Sequence, residues 1–226
     1  MIQIGNKFIN GKPWIVVGFS DLSPELINLA NKLDMAELRL DLFTDLTKLD
    51  QYLPLLKNTP KLLTIRTKYE GGNWQDSEDK RIELFAKYIN QVDMLDIELS
   101  ATGRQDIYNL ARNRNILVQF SHHDFTSTPN IDTLNSLLFE SKQQGGDIFK
   151  IAATINSDDD MHTLVEFLQQ NRQDKLVVIG MGVKGKLSRV FFPALGSLYT
   201  FTYVGDSTAP GQINLAQTID LFDEFY

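Results

Sequence analysis

Lys150 is the one cation in a short apolar stretch of the sequence that runs from Asp147 to Ala153. Such a stretch predicts a buried strand, and an isolated ammonium group is costly to remove from water. A buried lysine is therefore usually paired with an acid, shifted towards its neutral amine, or used in covalent chemistry. The alternative is that Lys150 lies at the end of the strand and extends its flexible side chain to solvent.

Two adjacent histidines are candidate bases, and a glutamate is a candidate to assist them. His122 and His123 end a predicted strand, and Glu70 lies in the loop after another. A neutral amine can attack a ketone to form an imine, which makes a proton on the neighbouring carbon easier to remove. Histidine suits that proton transfer because its pKa lies near neutrality, and a glutamate can orient the imidazole and tune its basicity.

Other kinds of chemistry have little support in the sequence. There is no cysteine, which excludes thiolate nucleophiles and cysteine-bound metals. The adjacent histidines are a weak metal signal, and residues 180–185 contain glycines without the spacing of a dinucleotide fingerprint. We therefore expect no metal and no cofactor. Arginine side chains, which present paired N–H donors, are the candidates for binding a substrate carboxylate.

The elements that must position these groups follow a regular alternation. From Trp14 onward, short β-rich stretches alternate with helical ones in eight units of about 25 residues. This pattern predicts an α/β fold, a (β/α)8 TIM barrel, with a doubly wound open sheet as the alternative. We expect residues 1–226 to form one domain, in which residues 1–13 form a capping hairpin that turns at Asn10-Gly11. The predicted strands are residues 15–19, 35–41, 62–66, 94–98, 116–123, 147–153, 176–181 and 199–203. The helix after the second strand is predicted from Leu46 to Leu56.

The inner faces of the predicted strands are unusually polar. Residues two apart in a strand share a face. The polar side chains that fall on the inner faces are Glu37, Arg39, Asp41, Thr64, Arg66, Asp96, Glu98, Gln119, Ser121, His123 and Lys150. Barrel interiors normally hold branched aliphatic residues, so we expect paired charges around an opening at the carboxyl ends of the strands.

Strand parity leaves some roles open. It places His123 inside the barrel and His122 outside. For Asp41, Asp96 and Glu98, a structural salt-bridge network is as good an interpretation as contact with a ligand. Desolvation and nearby cations are expected to lower the pKa of Lys150, whereas an adjacent Glu37 or Glu98 would raise it.

Composition and charge limit the partners. The net charge of −7, without a basic cluster, argues against nucleic-acid binding. No stretch approaches the ~20 apolar residues needed to span a bilayer, and the N-terminus does not resemble a signal peptide. We therefore expect a cytoplasmic protein with a small-molecule substrate and no membrane partner.

Several short motifs, in their order and strand placement, match one known family. They are Glu37-Leu38-Arg39-Leu40-Asp41, Thr64-Ile65-Arg66-Thr67 with Glu70-Gly71-Gly72, Ser121-His122-His123-Asp124-Phe125, Phe149-Lys150-Ile151-Ala152, Leu187-Ser188-Arg189 and Ala209-Pro210-Gly211-Gln212-Ile213. Together they resemble type I 3-dehydroquinate dehydratase, the Schiff-base lyase of the shikimate pathway of aromatic amino acid biosynthesis. The resemblance extends from about Ile15 to the C-terminus.

The resemblance implies a role for each matching residue. Lys150 would form the imine, His123 would be the general acid and base, and Glu70 would assist it. The residues expected to bind substrate are Glu37, Arg39, Arg66, Arg189, Thr208 and Gln212. The sequence departs from the family at two positions, where Gly18 and Thr208 replace serines.

The implied reaction removes water from 3-dehydroquinate to give 3-dehydroshikimate, with residues 207–212 as a lid and a homodimer as the assembly. One alternative is a class I aldolase-like lyase, which also uses a barrel lysine but breaks a carbon–carbon bond. The Arg189 and Ala-Pro-Gly-Gln motifs favour the dehydratase. A second alternative is a non-catalytic ligand-binding barrel, against which the presence of Lys150, His123 and Glu70 together argues.

Overall fold

The structure, a computed structural model, describes residues 1–205, 209 and 211–226. It begins with an antiparallel hairpin of β1 (Ile2–Ile4) and β2 (Lys7–Ile9), whose register pairs Ile4 with Lys7. The turn is therefore Gly5-Asn6, and the prediction of a turn at Asn10-Gly11 is wrong. With this turn Ile2 lies opposite Ile9, so that the buried isoleucines of the two strands share one face. Gly5 takes the positive φ of 57° that such a turn requires.

Eight parallel strands follow and form the barrel that the sequence predicts. They are β3 (Trp14–Phe19), β4 (Met35–Arg39), β5 (Lys61–Thr64), β6 (Met94–Glu98), β7 (Leu117–Asp124), β8 (Ile148–Thr154), β9 (Leu176–Met181) and β10 (Tyr199–Tyr203). Their hydrogen-bonded order is β10, then β3 through β9 in sequence. Between β9 and β10, Leu198 N donates to the Leu176 carbonyl at 2.9 Å and Val178 N donates to Ser197 Oγ at 3.0 Å. These bonds bridge the seam of the barrel.

The helices surround the strands. They are α1 (Pro24–Ala30), α2 (Leu46–Tyr52), α3 (Glu78–Tyr88), α4 (Arg104–Arg112), α5 (Ile131–Gln143), α6 (Asp158–Gln170), α7 (Gly182–Gly185), α8 (Ser188–Ala194) and α9 (Leu215–Phe225). Side-chain caps start several of them, including Ser23 before Pro24 and a capping box at Ser157 and Asp160. None of the helices in the described part of the chain has the length and apolar character needed to cross a bilayer.

One predicted helix is shorter than expected. The sequence predicts a helix from Leu46 to Leu56, but α2 ends at Tyr52 and a 3-10 turn, Leu53–Leu55, follows. Pro54 lies in this turn and has no backbone N–H to continue an α-helical ladder. The α-helix therefore ends before Pro54, and the chain continues as a 3-10 turn.

Two clusters of buried apolar side chains form the core of the protein. The larger one fills the space between strands and helices and includes Leu38, Leu63 and Phe85, all fully buried. The second fills the amino-terminal end of the barrel with Val16, Met35, Leu62, Met94 and Val177, and the hairpin contributes Ile2, Ile4 and Ile9 to it. The hairpin thus closes the amino-terminal end and leaves the polar side chains at the opposite, carboxyl end.

Candidate active site

A cavity that is partly open to solvent lies at the carboxyl ends of the strands. Its lining residues are Glu37, Arg39, Arg66, Glu70, Gly71, His123, Phe125, Lys150, Ala152, Ile179, Met181, Arg189, Phe201, Ala209 and Gln212. Eight of the nine site residues predicted from the sequence are therefore brought together here. The ninth, Thr208, lies outside the described residues.

Lys150 lies in the middle of β8 and points into this cavity, so the alternative of a lysine at a strand end is wrong. Lys150 is 5% exposed, and its Nζ lies 3.2 Å from Asp96 Oδ2 and 4.3 Å from the centroid of the Phe201 ring. Burial lowers the pKa of Lys150; Asp96 opposes this shift and Arg66 adds to it. The amine is consequently easier to deprotonate than an exposed lysine.

Asp96 is the buried acid on which the cations of the site converge. Its Oδ1 accepts from Arg66 Nη2 at 2.7 Å and from Ser121 Oγ at 2.6 Å, while Oδ2 accepts from Gln119 Nε2 at 2.6 Å. Burial acts to raise the pKa of Asp96, but Arg66 and Lys150 outweigh it and hold the pKa below its usual range. Asp96 therefore remains ionised and holds Lys150 and Arg66 in place.

The other buried carboxylates hold arginines and loops. Glu98 contacts Arg81 Nη2 and Arg66 Nη1 and accepts from Thr67 N at 2.9 Å. Asp41 pairs with Arg39 through two hydrogen bonds of 3.0 and 2.8 Å. These contacts support the salt-bridge interpretation of Asp41, Asp96 and Glu98 over direct contact with a ligand.

His123 and Glu70 form a hydrogen-bonded pair beside Lys150. Glu70 Oε2 lies 2.8 Å from His123 Nδ1 and also accepts from the backbone N–H of His123 at 3.1 Å. Because this oxygen already acts as an acceptor, Nδ1 is assigned as the protonated nitrogen, which leaves the lone pair of Nε2 unprotonated. His122 is half-buried and does not line the cavity, as strand parity predicts.

Burial changes the acidity of both partners. It lowers the pKa of His123 well below its usual value, and the charges of Arg66 and Lys150 add to this effect. Burial also raises the pKa of Glu70 to about 7, against the opposing effect of Arg66. The imidazole is therefore neutral near pH 7 and able to accept a proton.

Arg189 and Gln212 form another side of the cavity. Arg189 is in α8 and 3% exposed, and burial lowers the pKa of its guanidinium to about 10. Gln212 accepts a hydrogen bond from Ala209 N at 3.2 Å. The predicted lid, residues 207–212, falls partly outside the described residues. A Cβ at Gly211 would lie 2.3 Å from the Gly182 carbonyl oxygen, so the loop approaches the end of β9 through a glycine.

Comparison with known proteins identifies the family of the chain. The family described as Type I 3-dehydroquinase matches residues 18–224. The chain belongs to the type I 3-dehydroquinase family. The 3-dehydroquinate dehydratase of Thermodesulfovibrio yellowstonii is 33% identical over 192 residues, which cover 84% of each chain. That of Methanococcoides burtonii is 33% identical over 224 residues and 95% of each chain.

A solved structure of the family has the same fold. The crystal structure of type I 3-dehydroquinate dehydratase from Clostridium difficile with covalently modified comenic acid has a TM-score of 0.86 and 26% identity. The match covers 99% of this chain and 96% of that one.

Among the described residues, no group of three or more His, Asp or Glu side chains is arranged to bind a metal ion.

Some residues of this type I 3-dehydroquinase site were not singled out from the sequence. Phe201 lies over Lys150 Nζ, Phe125 stacks on the His123 ring at 6.4 Å, and Ser100 donates to Glu70 Oε1 at 2.6 Å. Strand parity can find Phe201, because it shares the inner face of β10 with Tyr199. Ser100 and Phe125 follow strand ends, where alternation gives no guide to direction.

Proposed function

We propose that this chain dehydrates 3-dehydroquinate to 3-dehydroshikimate through an imine on Lys150, with His123 as general acid and base. The observation that carries the proposal is a buried lysine of lowered pKa that lines the same cavity as a neutral histidine oriented by a carboxylate. Membership of the type I 3-dehydroquinase family supplies the substrate class.

The first step uses Lys150 as the nucleophile. The neutral amine attacks the C3 ketone, and loss of water gives an imine whose protonated nitrogen draws electrons from C2. Asp96, 3.2 Å from Nζ, holds the nitrogen in place and stabilises its positive charge. Burial of the amine favours the neutral form that begins the attack.

The second step uses His123. Its Nε2 removes a proton from C2, and the electrons of the C–H bond form an enamine. The C1 hydroxyl then leaves with the proton that His123 returns, and water is released. Glu70 stabilises the imidazolium that exists between the two proton transfers. Hydrolysis of the imine then releases 3-dehydroshikimate and regenerates the amine.

Substrate binding is assigned to the remaining polar residues of the cavity. Arg189 lines the cavity and binds the substrate carboxylate, as the resemblance to the family implies, because the paired N–H donors of a guanidinium match the two oxygens of a carboxylate. Glu37, which accepts from Thr64 Oγ1 at 2.8 Å, and Arg39 and Arg66 bind the hydroxyl groups of the substrate. Gln212 and Thr208 contact the substrate from the loop.

The proposal also covers the number of domains, the oligomeric state and the location of the protein. Residues 1–226 form one domain. This proposal is supported by the hairpin, which packs in one apolar cluster with Val16 and Met35 of the barrel. By resemblance to the family, the protein is a homodimer that acts in the cytoplasm. Gly18 replaces a serine that is often found at this position in the family, so this chain has no side-chain hydroxyl there to contact the substrate.

The test is a steady-state assay with 3-dehydroquinate, in which formation of the conjugated enone product is followed by its ultraviolet absorption. We expect turnover by the unmodified protein, loss of turnover in Lys150→Ala, and full turnover in Lys175→Ala, which changes an exposed lysine outside the cavity. Absence of turnover, or cleavage of a carbon–carbon bond as in an aldolase, would contradict the proposal.

A further inference from the structure

The turn after β6 holds a serine in a fixed position beside Glu70. Leu99 is buried, and its backbone N–H donates to the Ser121 carbonyl of β7 at 2.9 Å. Ala101 N donates back to the Glu98 carbonyl at 3.1 Å and closes the turn. The backbone on both sides of Ser100 is thereby anchored to two strands of the barrel.

Ser100 and His123 use different oxygens of the same carboxylate. The Ser100 hydroxyl donates to Glu70 Oε1 at 2.6 Å, whereas Oε2 accepts from the backbone N–H of His123 and lies 2.8 Å from its Nδ1. With both oxygens engaged, rotation of the carboxylate would break at least one of these bonds. The orientation of Glu70 is thus fixed from the side opposite the imidazole.

We propose that Ser100 is a positioning residue that acts through Glu70, holding the carboxylate so that its other oxygen keeps His123 protonated at Nδ1. The proposal rests on the proposed function, because it assigns to the His123 Nε2 lone pair the role of the base. Ser100 itself does not line the cavity, so it acts on the reaction through Glu70.

The charges around Glu70 make this hydrogen bond important. Glu70 lies in the loop after β5, and Arg66 lies at the start of the same loop. Asp96 and Glu98 of β6 and His123 of β7 face Glu70 from the neighbouring strands. Burial, Glu98 and Asp96 raise the pKa of Glu70, whereas Arg66 and the hydroxyl of Ser100 lower it. A hydroxyl that donates to a carboxylate favours its ionised form. Removal of the hydroxyl therefore raises the pKa of Glu70 further.

The first test is Ser100→Ala in the full chain. We expect kcat to fall about tenfold, the size expected for an outer hydrogen bond to a functional group, with KM nearly unchanged. The acid limb of the kcat profile should move to higher pH, so the deficit is largest at low pH. Ser100→Thr, which keeps the hydroxyl at an exposed position, should retain most of kcat and the original profile.

A second readout needs no substrate. The chain has three histidines, so the ring nitrogens of His123 can be assigned by nitrogen-15 NMR with His122→Gln and His162→Gln variants. At about pH 8, above the Glu70 pKa of about 7, we expect the unmodified protein to show mainly the tautomer of His123 that is protonated at Nδ1. Ser100→Ala should show a mixture of the two tautomers, because more of its Glu70 is protonated.

The control is Ser136→Ala, which removes an exposed hydroxyl that bonds the Asp132 carbonyl in α5. It should leave kcat, pH profile and tautomer unchanged. The positioning role is overturned if Ser100→Ala keeps the original kcat profile and tautomer, or if Ser100→Thr loses as much as Ser100→Ala. If the unmodified protein does not turn over 3-dehydroquinate, the proposed function fails, and the NMR result then tests the positioning role alone.

Discussion

At the scale of single residues, the two adjacent histidines of β7 have different surroundings and different roles. His123 faces Lys150 and Glu70 in the cavity, while His122 lies on the other side of the strand, where burial lowers its pKa. We predict that His123→Ala lowers kcat about 10³-fold, because it removes the general acid and base. The amine of Lys150 should still form an imine in this variant.

The measurement is steady-state turnover together with borohydride trapping of the imine. His122→Ala is the matched control and should change kcat by less than about threefold, because an outward side chain takes no part in proton transfer. The strand-parity assignment is wrong if His122→Ala is the severe change and His123→Ala the mild one.

Glu70 is the residue expected to set the acid limb of the activity. Its pKa of about 7 means that ionised Glu70, the form that accepts the Nδ1–H bond, increases as pH rises through this value. His123 does not set the limb, since its own pKa is well below its usual value and the ring stays neutral. We therefore predict that kcat increases through about pH 7 and then levels off.

Glu70→Gln tests this prediction, because glutamine does not titrate. Its kcat should be lower by about tenfold and should lack the acid limb near neutrality. An acid limb that persists at the same pH in Glu70→Gln would show that another group controls it.

Strand parity was enough to place Lys150 and His123 in one pocket, and the resemblance to the family added Glu70, but neither assigned their ion pairs. Lys150 pairs with Asp96, whereas the sequence left open whether Glu37 or Glu98 lies beside it. Parity gives the face of a strand on which a side chain lies. The depth of that side chain in the barrel depends on the stagger between strands, which the register of β6, β7 and β8 fixes only in the folded state.

At the scale of elements, α8 is attached to β9 by one hydroxyl. Ser188 Oγ accepts from Gly180 N at 2.8 Å and donates to the Gly185 carbonyl at 2.6 Å. Arg189 is the next residue in the chain. The hydroxyl therefore fixes the start of the helix that presents the carboxylate-binding arginine.

We predict that Ser188→Ala destabilises the fold by about 2 kcal/mol, because the buried N–H of Gly180 loses its partner. KM for 3-dehydroquinate should increase several-fold with kcat largely kept, since Arg189 holds the substrate carboxylate before and during the reaction. Urea denaturation and steady-state kinetics measure the two effects. An unchanged KM would mean that Arg189 keeps its position without this anchor.

The elements themselves were largely predictable. Buried parallel strands appear as short apolar stretches, and capping residues such as Ser23 and Ser157 mark helix starts directly in the sequence. The hairpin turn was misplaced because Gly5-Asn6 and Asn10-Gly11 are both favourable turn pairs. Packing decided between them, since only the first places Ile2, Ile4 and Ile9 on the barrel.

At the scale of the whole molecule, the two ends of the barrel have different roles. Apolar side chains and the hairpin fill the amino-terminal end, whereas the charged cavity occupies the carboxyl end. This separation agrees with the general rule that active sites of such barrels lie at the carboxyl face. Stability and activity should therefore be separable by mutation.

Ile4→Ala tests that separation. Ile4 is fully buried, so its truncation should lower the free energy of unfolding by about 3 kcal/mol, measured by urea denaturation. At temperatures where the variant is folded, kcat/KM should be unchanged. Phe8→Ala on the same hairpin, at a side chain 53% exposed, is the control and should change stability by less than about 0.5 kcal/mol. A large loss of kcat/KM in folded Ile4→Ala would contradict the separation.

The imine that Lys150 forms with the substrate is tested most directly by chemical trapping. The protein is incubated with 3-dehydroquinate, reduced with borohydride and digested, and the modified peptide is located by mass spectrometry. We predict a single reduced adduct on Lys150, which Lys150→Ala abolishes and Lys175→Ala retains. No adduct, or an adduct on a different lysine, would contradict the account.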